Sequence, residues 1–347
     1  MRLPFTKSIE NWSKSYNRQL PWDHTINPYH IWLREIILQQ TRVEQGAPYY
    51  QKFIEHYPDV NALANTSVEQ ILKDWEGLGY YSRARNLHFA AQQLRTDYQG
   101  IFPHTFDEIL KLKGVGEYTA AAIASFAFNL PYAVLDGNVF RVLSRFFGID
   151  IPIDTHAGKK FFKQLAQECL DDKNPAFYNQ AIIDFGAHQC KPTQPLCETC
   201  PLAQDCVAYR TGQTKRLPVK AGKIQKKERF FNFLVIQSKG YIVLEQRLQK
   251  DIWQKMFQFP LIESSSEFLT VEMLNFDKND LLKPISSGKI YKQVLTHRNV
   301  YGKFFNLEVE NIYLKEGWFI VKLEQLDQYS FPKIIRDYLN DAFKYIY

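Results

Sequence analysis

Apolar side chains recur at helical spacing through the first two hundred residues of the chain. The segment Pro28–Gln45 repeats them at this period and has proline near its start, which favours one helix. Residues 65–67 (Asn-Thr-Ser) can cap a helix over 68–75 that ends before Gly77. The same period predicts further helices over 82–98, 106–112 and 117–128. A series of helices joined by short turns indicates an all-α domain.

The pattern changes after residue 228. Two β-rich runs, 229–237 and 241–247, flank Ser238-Lys239-Gly240, which predicts a hairpin. Phe305, Leu307 and Val309 alternate with polar residues, as in a half-buried strand, and 331–343 has a helical pattern. These elements predict a separate, smaller α+β domain.

Charge separates the two patterns. The 347 residues have a formal net charge of +6, and 210–229 hold eight Lys or Arg against one Glu. Such a run suits a solvated linker or a segment that attracts phosphate. We therefore expect a helical domain over 1–209, a basic linker over 210–228 and a second domain over 229–347.

Four of the five cysteines are crowded together as Cys190-x6-Cys197-x2-Cys200-x5-Cys206. The chain starts without the apolar segment of a signal peptide and has no stretch apolar enough to span a membrane, so we expect a reducing cytoplasm. In that compartment crowded thiols bind metal rather than pair, and this set suits a [4Fe–4S] cluster or a tetrahedral zinc ion. Cys169 stands apart, at helical spacing with apolar residues, and is expected in the core.

A glycine turn joins two of the predicted helices. Leu112, Gly114, Val115 and Gly116 form this turn, and Thr119 lies in the helix after it. Glycines let a backbone approach a ligand, and the helix N-terminus after them offers free N–H groups to a phosphate. The turn therefore suits either a DNA phosphate contact or a tight helix connection.

Two acidic residues are candidates for catalysis. Glu35 shares a helix face with Ile31 and Leu38, and a carboxyl group among aliphatic side chains keeps its proton more readily near neutral pH. Asp136 precedes Gly137 and the start of a predicted helix. The alternatives are an acid at the edge of an amphipathic helix for Glu35 and a helix cap for Asp136.

Several motifs together resemble the helix-hairpin-helix base-excision glycosylases. They are LKGVGEYTA at 112–120, VLDGNVFRVLSR at 134–145 and the four-cysteine loop. Within that superfamily, LPW at 20–22, EIILQQTRV at 35–43 and EGLGYYSRARNLH at 76–88 resemble the MutY family of adenine DNA glycosylases. The resemblance runs through residues 16–210 and implies a [4Fe–4S] cluster rather than zinc at the cysteines.

The resemblance also implies catalytic roles. Glu35 would protonate N7 of adenine and then help deliver water, while Asp136 would stabilise or trap the oxocarbenium-like sugar. Asn138 and Tyr118 would support these acids. Related bifunctional glycosylases have a lysine where this chain has Tyr118, and a phenol cannot form an imine. A monofunctional glycosylase that leaves an intact strand with an abasic site is expected.

DNA contacts follow from the same resemblance. The adenine must leave the base stack, and Gln40 and Tyr80 would fill the gap, Tyr80 beside the 8-oxoguanine. Asp23 occupies a position where the family often has arginine. The expected DNA-binding residues are Gln39, Gln40, Thr41, Tyr80, Leu112, Gly114, Val115, Gly116 and Thr119.

The second domain resembles the Nudix-like domain of the same family. Its segment DIWQKMFQFPLIE at 251–263 resembles the tryptophan-to-FP stretch, and no Nudix box follows, so no pyrophosphatase activity is expected. Leu295, Thr296 and His297 stand where many members have Phe-Ser-His for 8-oxoguanine recognition. Thr296 keeps the hydroxyl group, whereas a histidine at a strand end also has a purely structural interpretation.

The sequence thus predicts a two-domain monofunctional glycosylase for double-stranded DNA with A:8-oxoguanine or A:G mispairs. We expect a monomer associated with the nucleoid, without membrane contact; the sequence identifies no repair or replication protein partner. One alternative is a thymine-mismatch or endonuclease III-like glycosylase, which Tyr118 and the second domain disfavour. Another is a non-catalytic iron–sulfur protein for DNA binding or redox chemistry, which the pair Glu35 and Asp136 disfavours.

Overall fold

The computed structural model describes residues 2–16, 25–222, 225–265, 267–274 and 281–343. The LPW motif at 20–22 and Asp23 lie outside the described residues. No helix of the described part is long and apolar enough to cross a membrane.

The described residues up to 222 are mostly helical, which confirms the helical pattern predicted over 1–209. The helices are α1 (Arg2–Ser15), α2 (Pro28–Leu38), α3 (Val43–His56), α4 (Val60–Asn65), α5 (Val68–Asp74), α6 (Ser82–Asp97), α7 (Phe106–Leu110), α8 (Glu117–Phe128), α9 (Gly137–Phe147), α10 (His156–Cys169), α11 (Pro175–Asp184) and α12 (Val207–Arg210). A π-helical turn, Phe185–Gln189, extends α11 toward the cysteine loop.

The helix ends follow local chemistry. The Ser67 hydroxyl accepts a hydrogen bond from the Gln70 amide at 3.2 Å, which confirms the predicted cap of α5. The prediction of one helix over Pro28–Gln45 is wrong, because α2 ends at Leu38 and α3 begins only at Val43. Between them Gln40 has φ +55°, and a residue in the left-handed region cannot continue a right-handed helix.

The core of the helical part lies between α1 and the helices α8 to α11. Fully or almost fully buried apolar side chains fill it, including Phe5, Val142, Phe162 and Ile182. Cys169 is only 1% exposed and packs there, so the predicted core position is confirmed. Since α9 is packed on this core, the residue at its N-terminus has a fixed place.

The second half forms one mixed sheet with a final helix. Its strands are β1 (Lys227–Ser238), β2 (Tyr241–Gln246), β3 (Phe257–Gln258), β4 (Leu261–Ser264), β5 (Ser286–Ser287), β6 (Tyr291–Val294), β7 (Arg298–Glu308) and β8 (Trp318–Lys322), and α13 is Lys333–Ala342. The order is β3-β2-β1-β7-β5, with β4 on β1, β6 on β7 and β8 on β2. The pair β1 and β7 is parallel.

This sheet has the predicted hairpin and alternation. Strands β1 and β2 are antiparallel around residues 239–240, and Phe305, Leu307 and Val309 are buried. Helix α13 packs through Tyr338, whose ring stacks on Phe304 at 3.9 Å between centroids. The α+β character of the second domain is confirmed.

The chain divides into two compact units, and the division does not fall at a single point in the sequence. The first unit runs to Asn65 and resumes over Phe89–Gly222; the second combines Thr66–His88 with the chain after 222. Part of the segment predicted as linker belongs to the first unit, because Leu217 is 2% exposed and its carbonyl accepts a hydrogen bond from Arg145.

Polar contacts attach Thr66–His88 to the sheet unit. Arg336 on α13 donates to both carboxylate oxygens of Glu76, at 2.8 and 3.2 Å. The Arg85 guanidinium donates to the Gln254 carbonyl at 3.0 Å. The segment that carries Tyr80 is therefore held by residues that follow it by more than 150 positions.

Candidate active site and DNA interface

Glu35 lies on α2 and is 7% exposed. Its Oε1 accepts hydrogen bonds from Arg34, at 2.9 Å from Nε and 2.7 Å from Nη2, and its Oε2 accepts one from the Tyr118 hydroxyl at 2.9 Å. The expected aliphatic surroundings are thus incomplete. Both oxygens have polar partners, and one partner is a cation.

Asp136 is the N-cap of α9. Its Oδ1 accepts from the amides of Asn138 and Val139, each at 2.8 Å, and its Oδ2 accepts from Asn138 Nδ2 at 2.8 Å. Burial raises the pKa of Asp136, while the hydrogen bonds from Val139 and Asn138 oppose that effect. Asp136 therefore caps α9, which is the alternative role that the sequence left open. The same residue also lines a cavity.

Glu35 and Asp136 line the same cavity, which has a volume of about 450 Å³. Tyr118 and Asn138 lie in its wall, and the turn between α2 and α3 contributes Gln39, Gln40 and Thr41. The structure thus brings together the catalytic candidates, which the sequence separates by about a hundred positions. Arg34 also lines this cavity.

Tyr118 lies on the first turn of α8 and interacts with both acids. Its pKa is raised well above the ordinary value by burial and by the charges of Glu35 and Asp136. The phenol therefore stays neutral and donates a hydrogen bond to the Glu35 carboxylate. No amine occupies this position, so the wall offers no group that could form an imine there.

The cysteine loop is fastened to α9 by two arginines. Arg141 donates to the Cys190 carbonyl at 2.7 Å and, through Nη2, to Asn138 Oδ1 at 2.8 Å. Arg145 donates to the Lys191 carbonyl at 2.7 Å, and its Nη1 lies 3.5 Å from Cys190 Sγ. These contacts connect the loop to the helix whose cap is Asp136.

The four clustered cysteines line a single small cavity. Burial is the main cause that raises the pKa of Cys197, Cys200 and Cys206, and the other thiols of the cluster add to it; for Cys200 the value reaches about 11. In the described part of the chain, no three Cys, His, Asp or Glu side chains are grouped so that they could hold a metal ion.

The glycine turn between α7 and α8 has the backbone that the sequence suggested. Gly114 has φ +80°, a left-handed value that favours glycine, and Gly116 is the N-cap of α8. Leu112 and Val115 are buried, and their amides donate to the carbonyl oxygens of Ile109 and Leu112, so neither N–H group is free for a phosphate. Thr119 is also buried, and its hydroxyl accepts a hydrogen bond from Gln39 Nε2 at 3.2 Å.

Tyr80 belongs to the second unit, where it lines a cavity of about 800 Å³ with Leu295, Thr296 and His297. Its side chain is 45% exposed and its φ is +48°. A hydrogen bond of 2.6 Å joins the Tyr80 hydroxyl to Thr296 Oγ1. The two expected lesion-recognition segments are therefore in contact.

Sequence reasoning missed the buried arginines of the first unit. Arg34, Arg141 and Arg145 are each at most 8% exposed and bind carboxylate or carbonyl oxygens. Their signal in the sequence is weak, because an arginine on a helix is usually a solvated side chain. For Arg34, the only sign of a buried ion pair in the sequence was the acidic residue next to it, Glu35.

Comparisons with known proteins agree with this geometry. Residues 33–168 match the HhH-GPD superfamily of base excision DNA repair proteins, and 232–341 match the NUDIX domain. The adenine DNA glycosylase of Buchnera aphidicola subsp. Baizongia pistaciae is 38% identical over 306 residues, which cover 86% of this chain and 84% of the relative. That of Buchnera aphidicola subsp. Acyrthosiphon pisum is 34% identical over 266 residues and 76% of each chain.

A solved structure of a thermostable thymine-DNA glycosylase has a TM-score of 0.57 and 32% identity; the match covers 60% of this chain and 97% of that chain. The adenine-specific relatives, in contrast, match most of this chain, well beyond the helical part. The chain therefore belongs to the adenine DNA glycosylase family, with a helical HhH-GPD domain followed by a Nudix-like domain.

Proposed function

We propose that the chain hydrolyses the N-glycosidic bond of adenine mispaired with 8-oxoguanine or guanine and leaves the DNA strand intact. One observation carries this proposal: Glu35 and Asp136 line one cavity, and the phenol of Tyr118 in the same wall donates a hydrogen bond to Glu35. Two carboxyl groups with different surroundings suit the protonation of the leaving base and the stabilisation of the sugar cation.

The chemistry follows from the two environments. Glu35 transfers a proton to N7 of adenine, so that the base can leave with the electron pair of the glycosidic bond. Asp136, held by three hydrogen bonds, faces the positive charge that develops on the sugar and stabilises or traps it. Water then adds to C1′ and returns a proton to Glu35.

DNA binding divides among three surfaces in this proposal. The backbone amides at Gly114 and Gly116 bind a phosphate without regard to sequence. Gln40 and Tyr80 fill the gap that the extruded adenine leaves, which their exposure and left-handed backbones support. Thr296 presents its hydroxyl group to the 8-oxoguanine.

The four thiols of the cysteine loop line one cavity and supply the soft ligands that a [4Fe–4S] cluster or a zinc ion takes. The resemblance of their spacing to that of the helix-hairpin-helix glycosylases favours the cluster. Cys190, Cys197, Cys200 and Cys206 would hold it. The cluster would fix the loop against α9 and the DNA backbone and would break no bond of the substrate.

A duplex panel tests the proposal. We expect strand breaks at the adenine of A:8-oxoguanine and A:G duplexes only after hot alkali, and none in A:T or T:G duplexes. Glu35→Gln and Asp136→Asn serve as matched controls with strongly reduced excision. Activity on T:G alone would support the thymine-mismatch alternative, and strand breaks without alkali would exclude a monofunctional enzyme.

A further inference from the structure

Arg34 forms a buried ion pair with the residue that follows it. Nε and Nη2 lie 2.9 and 2.7 Å from Glu35 Oε1, and the side chains are 9% and 8% exposed. The guanidinium also lies over the Phe126 ring, 5.0 Å from its centroid. Hydrogen bonds between charged groups at this depth are strong and hold a fixed geometry.

The charged and titratable groups around this pair are few in the described cavity wall. Tyr118 from α8 donates to the other carboxylate oxygen, and Asp136 from the start of α9 adds an anion across the cavity. The charge of Arg34 also opposes the rise that burial causes in the pKa of Tyr50 on α3. Among the described residues of this cavity wall, Arg34 is the cation that pairs with Glu35.

We propose that Arg34 is a positioning residue that fixes Glu35 Oε1 and stabilises the carboxylate that remains after Glu35 has given up its proton. The inference rests on the proposed function and adds to it a residue to which the family motifs assign no role. In this proposal Arg34 acts through the side chain of Glu35 and not through contact with the substrate.

The proton-transfer step explains why the charge of Arg34 matters for Glu35. Glu35 loses its proton to adenine N7 while the bond between N9 and C1′ breaks and its electron pair goes to the base. The carboxylate that remains is stabilised by Arg34, which stays protonated throughout.

The test is the pH dependence of single-turnover excision. Arg34→Met leaves the buried carboxyl group without its cation, so the alkaline limb of the rate profile should move to higher pH. Arg34→Lys keeps the charge and should leave that limb close to the wild-type position. Lys173→Met, which removes one exposed positive charge, is the matched control and should not move it.

A double-mutant cycle separates positioning from a general structural effect. In a Glu35→Gln background, Arg34→Met should change the residual rate less than twofold, because the arginine acts through the carboxylate. An unchanged alkaline limb in Arg34→Met, or an equal loss at every pH in both backgrounds, would overturn the proposal.

Carbon-13 NMR of the Glu35 carboxyl in the DNA-free chain provides a readout besides activity. Its chemical shift should differ from wild type in Arg34→Met, and Arg34→Gln, which also lacks the charge, supplies the same comparison if the methionine variant does not fold. An identical chemical shift with and without the Arg34 charge contradicts the proposal. A wild-type chain that is inert on every duplex refutes the proposed function instead, and the NMR comparison still tests the ion pair.

Discussion

Replacing Asp136 by asparagine separates its charge from its role as a helix cap. Asparagine is as good an N-cap as aspartate, so Oδ1 can still accept from the amides of Asn138 and Val139. The new amide nitrogen, however, stands where Oδ2 accepts from Asn138 Nδ2. One hydrogen bond is lost, which costs about 1 kcal/mol of stability.

The catalytic cost of this substitution is much larger. Loss of one preorganised group that stabilises transition-state charge lowers the rate ~100- to 1,000-fold, or about 2.7–4 kcal/mol. Because Asp136 lies in the wall of the cavity and carries a full charge, we expect a loss at or beyond the upper end. Binding of the mispaired duplex should change little, since the amide keeps the shape of the carboxyl group.

The pH dependence supplies a second prediction for the same residue. Burial raises the pKa of Asp136, so protonation removes its charge at a higher pH than for an exposed aspartate. Wild-type excision should therefore decline with falling pH above the ordinary aspartate range, and the residual activity of Asp136→Asn should lack this acidic limb.

The assay is single-turnover excision across a pH series, with thermal unfolding and duplex binding measured on the same samples. Asp136→Ala is the matched variant: it loses the cap as well, at about 0.5–2 kcal/mol of stability. Excision by Asp136→Asn within tenfold of wild type, with normal duplex binding, would refute the role given to the carboxylate.

Three further substitutions test separate parts of the account. Tyr118→Phe removes the hydrogen bond to Glu35 Oε2 and should lower the excision rate by about fivefold, the kinetic equivalent of roughly 1 kcal/mol; a rate equal to wild type would show that the phenol is dispensable. Thr296→Val removes the hydrogen-bond partner of the Tyr80 hydroxyl. In a competition between A:8-oxoguanine and A:G duplexes, it should reduce the preference for 8-oxoguanine more than it reduces the rate on A:G duplexes. An unchanged preference would argue against recognition by Thr296. Cys200→Ser should lower the iron content and visible absorbance of the purified protein together with its melting temperature; full iron content would remove this thiol from the ligand set.

Much of the fold could be predicted because local chemistry decides it. Ser67 caps its helix through its own hydroxyl group, and the turn at 239–240 follows from the glycine and the flanking β-rich runs. The break after Leu38 was not predictable in this way. Gln40 has a left-handed backbone without being glycine or asparagine, so only its surroundings can impose that conformation.

The candidate site likewise combines features that could be predicted from the sequence with features that depend on the tertiary structure. Motif resemblance selected Glu35 and Asp136, whereas their shared cavity depends on the packing of α2, α8 and α9. The association of Thr66–His88 with the sheet unit depends on pairs such as Glu76 and Arg336, which no local pattern reveals. The ion pair of Arg34 was hidden because helical periodicity places adjacent residues on different faces.

The most direct test of the central claim is to measure free adenine and strand integrity together in one reaction with an A:8-oxoguanine duplex. The account predicts that wild-type protein releases one adenine per duplex and leaves the strand whole until alkali is added, and that Asp136→Asn releases none on the same time scale. An intact duplex with no free adenine, or a strand cut without alkali, would contradict it.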